Sequence, residues 1–156
     1  MIIIDNTMLS ALSSKAKEYA RRRLNLNFHT KDEDNLQRLL NAIEPDTYIQ
    51  PHKHDEPDKR EVFIILTGKA AILCFDDFGG VTQHTILSRD KGVFAVEIPP
   101  KTWHTLVSLE EGTVLYELKD GPYDVKNDKQ FAPWAPAEGD VLCKTFLNKI
   151  KTILFT

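Results

Sequence analysis

Between Tyr48 and Lys119 the chain is a succession of short β-prone runs, each closed by a turn, and this rhythm restricts the fold more than any other feature. The runs are Tyr48–Gln50, Glu61–Leu66, Ala70–Phe75, Val81–Leu87, Val93–Ile98, Thr105–Leu109 and Thr113–Lys119. The turns between them are Thr67-Gly68-Lys69, Asp76-Asp77-Phe78-Gly79-Gly80, Arg89-Asp90-Lys91-Gly92, Pro99-Pro100-Lys101 and Glu110-Glu111-Gly112. Strands recurring about every 8–12 residues with Gly, Pro and Asp punctuation predict an antiparallel sandwich or barrel. No βαβ alternation is present, so a nucleotide-binding parallel sheet is not expected.

The flanks read differently. Met8, Leu9, Leu12, Ala16, Tyr19 and Ala20 recur at helical spacing, which predicts a helix over Asp5–Arg23 capped by Asp5, Asn6 or Thr7. Arg21-Arg22-Arg23 then suits the negative end of the helix dipole as a solvated terminus rather than a phosphate grip. Asn25 to Asp34 is polar and loop-like. Leu36, Leu39, Leu40 and Ile43 keep helical spacing up to the turn Glu44-Pro45-Asp46-Thr47, so periodicity alone predicts a second helix there. Asp120 to Asp140 is rich in proline and aromatics, too apolar for a free linker, and is expected to pack over the barrel or frame its pocket. Val141, Leu142, Thr145, Phe146, Lys149, Ile150, Ile153 and Leu154 predict a C-terminal helix packed on the barrel.

The 156 residues therefore form one domain: helix and loop over 1–34, barrel over 35–120, covering loop and second helix over 121–156. A net charge of −3 with interspersed signs argues against a nucleic-acid face. No run is long enough to span a membrane. Met1-Ile2-Ile3-Ile4 is too short for a signal sequence and lacks a basic flank. The two cysteines, Cys74 and Cys143, have no metal spacing, and Cys74 sits in an apolar run as a reduced core residue. A cytoplasmic protein is expected.

The chemistry concentrates in Pro51-His52-Lys53-His54-Asp55-Glu56-Pro57-Asp58-Lys59-Arg60-Glu61. Residues i and i+2 of a strand share a face, so His52 and His54 can aim at one point. An isolated His-x-His is usually a surface pair. Here Glu61 opens the next strand, and His104 follows in Ile98-Pro99-Pro100-Lys101-Thr102-Trp103-His104. Three imidazoles and a carboxylate suit one divalent first-row ion such as zinc, iron, nickel or manganese. Glu97 interrupts the apolar run Val93–Ile98, where it is either a catalytic base beside the metal or a residue on the outward face. Glu117 has the same two readings with less weight. Trp103, Tyr123 and Trp134 are candidates for stacking on a sugar, with core packing as the competing role. Lys101, Lys59 and Arg60 are candidates to meet a phosphate or carboxylate, or are solvated. His29 and His84 lie outside these stretches, and His84 is expected to be exposed.

His52, His54, Glu61 and Gly68, followed by Gly92, Pro99 and His104, resemble the two sequence motifs of the cupin superfamily. Asp46 stands where the first motif has its leading glycine, and six residues separate His54 from Glu61, more than is usual there. In the second motif Lys101 replaces a glycine and Ser108 an asparagine. A narrower resemblance, to the WbuC family of cupin-fold metalloproteins, rests on Arg38-Leu39-Leu40-Asn41-Ala42-Ile43-Glu44-Pro45, on both histidine stretches, and on the block Asp128-Lys129-Gln130-Phe131-Ala132-Pro133-Trp134-Ala135-Pro136-Ala137-Glu138-Gly139. It implies a mainly β fold, a small double-sheet antiparallel barrel or jelly roll with an N-terminal and a C-terminal helix. It also favours a strand for Arg38–Ile43 against the helical spacing.

The resemblance implies a metal held by His52, His54, His104 and Glu61; the residue reading adds Glu97 as catalytic and Trp103, Tyr123 and Lys101 toward substrate. An ion so held suits metal-dependent isomerase or epimerase chemistry on a small sugar or sugar nucleotide, and the resemblance implies a place in bacterial surface-polysaccharide metabolism. Two others stay open: a non-catalytic metal- or sugar-binding module, and an iron-dependent dioxygenase. Cupins often pair through sheet edges, which implies a homodimer.

Overall fold

The computed structural model describes residues 1–155 and contains two five-stranded antiparallel sheets with one helix on the outer face of each. Helix α1 (Asn6–Glu18) is followed by β1 (Arg23–Asn27), β2 (Leu36–Ile43), β3 (His52–Lys53), β4 (Glu61–Thr67), β5 (Lys69–Phe75), β6 (Val81–Ser88), β7 (Ala95–Ile98), β8 (Trp103–Ser108), β9 (Thr113–Asp120), β10 (Gln130–Phe131) and α2 (Cys143–Ile153). One sheet has the order β1-β2-β9-β4-β7 and the other β10-β3-β8-β5-β6. The strand rhythm predicts such antiparallel sheets, and the jelly-roll arrangement is the one that the resemblance implies. Among the described residues no helix is long and apolar enough to cross a membrane.

Apolar side chains sort into three layers. Leu9, Leu12 and Ala16 of α1 lie on Leu40, Ala42 and Val114. Between the sheets sit Phe63, Ile65, Ile72, Leu106 and Leu115. Outside the second sheet, Leu73, Phe75 and Val107 meet Leu147, Ile150 and Leu154 of α2 and its neighbour. Strand β5 is apolar on both faces because each face meets a different layer. Leu115 is fully buried between the sheets. Leu115→Ala should cost roughly 2–5 kcal/mol of stability through lost burial and a residual cavity, read from the midpoint of urea unfolding at unchanged slope.

Three local expectations need correction, and the conflict over residues 36–43 is decided. Helix α1 starts as expected, with Asp5 Oδ1 accepting the Met8 N–H at 2.9 Å, but it stops at Glu18 rather than Arg23. Arg22 takes a left-handed φ of 55° and turns the chain, so Arg23 begins a strand. That strand, β1, occupies part of the stretch read as loop. Its Leu24 packs toward α1, while Asn25 and Asn27 face the space between the sheets. Residues 36–43 form β2, the strand that the resemblance favoured over the helical spacing. Leu40 and Ala42 are covered by α1, Ile43 faces the inner layer, and a strand apolar on both faces loses its period-two signature. Finally, Tyr48–Gln50 is irregular. The short strand is β3, and Tyr48 is instead a core residue whose hydroxyl donates to the Pro136 carbonyl at 2.7 Å.

The β4–β5 turn explains the glycine after Glu61. Gly68 has φ 75°, and a Cβ there would lie 2.7 Å from Thr113 Cα. Only glycine satisfies both the left-handed backbone and the close approach.

Candidate metal centre

The β pairing brings the sequence-distant histidines together. His52 lies directly opposite His104 across β3 and β8. His54 follows β3 immediately, and Glu61 enters from the facing sheet as the first residue of β4. One ligand atom from each of the four residues lies within 4.8 Å of the others, and all four residues are buried. Ring centroids of His52 and His104 are 4.6 Å apart, and those of His52 and His54 are 5.3 Å apart. The extra length between His54 and Glu61 forms a turn that sends Lys59 inward, leaving Glu61 in place.

Hydrogen bonding fixes the tautomers. His52 Nδ1 meets the Gln50 carbonyl at 2.9 Å, His104 Nδ1 meets the Thr102 carbonyl at 2.8 Å, and His54 Nδ1 meets the Asp128 carbonyl. A carbonyl only accepts, so each Nδ1 carries a hydrogen and each Nε2 is left facing the site. His54 Nε2 and His104 Nε2 approach the Glu61 oxygens at 3.1 and 2.8 Å. Even so, His54 Nε2, His104 Nε2 and Glu61 Oε2 have no hydrogen-bond partner. Nε2 atoms crowded on a carboxylate in a buried site are stable only where a cation, a ring proton or a metal ion, lies among them. Burial also pushes His52 well below the usual histidine range, with Lys129 and His104 adding to the effect, so its ring is neutral. Burial opposes the Glu61 charge, but the His104 and His54 rings offset it and hold its carboxyl well below the usual range. Three imidazoles with their Nε2 atoms turned to one carboxylate are the donor set that a zinc-like divalent ion takes, and the residues fit such an ion.

The cluster opens into a cavity of about 660 Å³ between the sheets, lined by His52, Glu61, His104, Asn41, Glu117 and Tyr123 among others. Glu117 projects into this space from β9, one inward position along the sheet from the Glu61–Lys119 pair. Its Oε2 accepts from Asn41 Nδ2 at 2.5 Å. Burial, then the nearby Glu61 charge, raises its carboxyl above the usual range despite Lys119, Lys129 and Asn41.

Other sequence candidates fall elsewhere. Glu97 is exposed and pairs in register with Val62, on the outer face of its sheet. The carboxylate facing the cavity is Glu117, which alternation along Leu115, Glu117 and Lys119 was able to indicate but not to rank above Glu97. Trp103 belongs to the outer apolar layer. It is on the opposite face of β8 from His104, donates Nε1–H to Asp77 at 2.9 Å and packs on Trp134. Lys101 is exposed and pairs with Asp58 at 3.3 Å, outside the cavity lining. Of the substrate candidates only Tyr123 lines the cavity, with Lys119 Nζ 5.5 Å from its ring centroid. Lys59 is buried rather than solvated, while Arg60 is exposed and bonded to Asp120. His29 borders the cavity, and His84 is exposed as expected. Asn41, Lys119 and Asp128 carried no signal of their own in the sequence.

Residues 4–87 match the model of a family described as Domain of unknown function (DUF6016). No curated protein matches the chain. The capsular polysaccharide assembling protein CapF from Staphylococcus aureus superposes with a TM-score of 0.57 at 22% identity, over 69% of this chain and 28% of CapF. L-ribose isomerase from Cellulomonas parahominis, solved with L-psicose, gives 0.56 at 13% identity over 72% of this chain and 70% of its own. KdgF from Halomonas sp. gives 0.51 at 16% identity over 67% and 82%. The chain thus spans less than a third of the length of CapF from Staphylococcus aureus. These likenesses show the fold: the chain has the cupin double sheet.

Proposed function

Starting from the fact that the chain belongs to the DUF6016 family, we propose that it is a metal-dependent cupin that moves a proton on a small polyhydroxylated, sugar-like substrate, as an isomerase or epimerase. One observation carries the reading. A cavity of about 660 Å³ holds a metal-type donor set, and next to it a buried carboxyl oriented by Asn41. A bound divalent ion supplies polarisation of a substrate carbonyl or hydroxyl oxygen. His52, His54, His104 and Glu61 would hold that ion. Glu117, as the carboxylate, takes the proton from the hydroxyl-bearing carbon beside the substrate carbonyl and returns it to the former carbonyl carbon, while the hydroxyl proton passes to the former carbonyl oxygen; its raised pKa makes it a stronger base than an ordinary carboxylate. Asn41 orients the Glu117 carboxyl, and the amide groups of Asn25 and Asn27 offer hydrogen bonds to sugar hydroxyls along the cavity wall. Tyr123 offers a flat apolar face.

The resemblance to WbuC proteins, together with the named roles of CapF in capsular polysaccharide assembly and of L-ribose isomerase, supports placing this chemistry on a sugar of bacterial surface-polysaccharide metabolism, in the cytoplasm. The test uses protein loaded in turn with zinc, manganese, nickel and ferrous iron, incubated in D₂O with a panel of aldoses, ketoses and uronates. Deuterium entering a carbon-bound position of one sugar, seen by NMR, is the expected result. Sugar binding without deuterium uptake under any metal would replace the enzyme with a binding module. Oxygen consumption confined to the iron form would point to a dioxygenase.

A further inference from the structure

The covering segment carries a buried ion triad that the proposed chemistry does not use. Asp128, 3% exposed, receives Lys59 Nζ on Oδ1 at 2.8 Å and Lys119 Nζ on Oδ2 at 2.7 Å. Lys59 is 1% and Lys119 6% exposed. Lys59 Nζ also donates to the Pro122 carbonyl at 2.6 Å. The main-chain carbonyl of the same Asp128 accepts the Nδ1–H of His54. Burial opposes the Asp128 charge, but Lys119 and Lys59 more than compensate and hold its carboxyl below the usual range.

The segment is tied to the sheets at both ends. Gly121 N–H donates to Asn35 at 2.9 Å and Tyr123 N–H to Asp32 at 2.7 Å, while β10 pairs with β3. Between Tyr123 and Gln130, among the described residues, hydrogen bonds to the rest of the protein run through Asp128 alone. The remaining bonds there close locally on Asp124. The position of the 128 carbonyl is thus set by the side chain of the same residue.

We propose that Asp128 is a positioning residue. Clamped between Lys59 and Lys119, it locks the covering segment so that its carbonyl holds His54 in the Nδ1–H tautomer with Nε2 turned toward Glu61. In its consequence for metal binding this rests on the metal reading above. A lysine on the turn after His54 and another on β9 are thereby coupled, through one aspartate, to a ligand of the centre. The same segment supplies Tyr123 and Phe131 to the cavity wall, so the lock also sets the shape of the space that receives substrate.

The test compares wild type, Asp128→Asn, and Asp120→Asn as a control on the exposed Arg60–Asp120 pair near the start of the same segment. Long-range ¹H–¹⁵N spectra of metal-free protein should show His54 as the pure Nδ1–H tautomer in wild type and in the control, and as a mixture in Asp128→Asn. Chelator competition with Co²⁺ should show roughly 10–100-fold weaker binding in Asp128→Asn, with displaced visible ligand-field bands and unchanged far-UV circular dichroism. A folded Asp128→Asn protein with the wild-type tautomer and Co²⁺ affinity would overturn the inference. If Asp128→Asn does not fold, hydrogen exchange on wild type decides. By the reciprocity of coupled equilibria, Co²⁺ must slow exchange in residues 121–132 more than in α2, and equal slowing overturns the inference. If wild type binds no Co²⁺, the metal reading fails, while the tautomer comparison still decides whether Asp128 positions His54.

Discussion

The double variant His52→Ala/His104→Ala should bind no metal, where wild type takes up about one divalent ion per chain. Two of the four donors vanish, and those remaining, His54 and Glu61, make a two-point site too weak to compete with buffer and chelators. The effect also reads out in stability. An ion present at about 1,000 times its Kd stabilises the folded state by roughly 4 kcal/mol. At roughly 2–4 °C per kcal/mol for a chain of this length, wild type should gain about 8–16 °C in Tm on saturation, and the variant nothing. Metal content by mass spectrometry and thermal unfolding with and without zinc check both halves. A wild-type chain that takes up none of zinc, nickel, manganese or ferrous iron would sink the metal reading. The three converging imidazoles would then be acid–base or binding groups in a metal-free cupin.

Glu117→Gln should lower turnover by about 10²–10⁴-fold, the usual worth of a positioned acid–base group, and leave metal content unchanged. Glutamine keeps the size and a carbonyl oxygen able to accept from Asn41, so the cavity retains its shape while the transferable proton is lost. Unchanged turnover would remove Glu117 from the chemistry, and loss of metal along with turnover would make it a structural support. Stability should move the other way. Burial and the Glu61 charge raise the folded-state pKa of Glu117, so the native state binds the proton more tightly than the unfolded chain. Stability then falls as pH rises above the ordinary carboxylate value of about 4.3. The glutamine variant escapes that loss. It should be more stable than wild type near neutral pH, and the difference should disappear below about pH 4. Urea unfolding at several pH values checks the sign. A group held at a thermodynamic disadvantage in a cavity is what a functional carboxyl requires.

How much of this was legible beforehand differs between elements. The strand rhythm from Glu61 to Lys119 announced the double sheet, because turn residues and period-two runs are local properties. Asp5 announced the start of α1, because a cap needs only its own helix. The pairing of His52 with His54 followed from parity alone. Strand β2 was not legible by periodicity, since its spacing reflects two buried faces, one of them built by α1 on top of it. Glu97 and Glu117 are equivalent in sequence, each a carboxylate in an apolar run. Which of them faces the cavity depends on the register of β7 and β9 against β4, a long-range fact.

The sequence by itself determined the strands from Glu61 to Lys119, the turn at Gly68 and the donor types that suit a metal, since each follows from residue chemistry within a few positions of the chain. Tertiary structure alone decided that Glu117 turns into the site. It likewise decided that Lys59 and Lys119 meet across the protein on Asp128, whose carbonyl sets the His54 ring. The physical reason is burial. A lysine or a glutamate carries no local mark of whether water or a counter-charge will surround it, and that surrounding exists only once distant strands have closed over it.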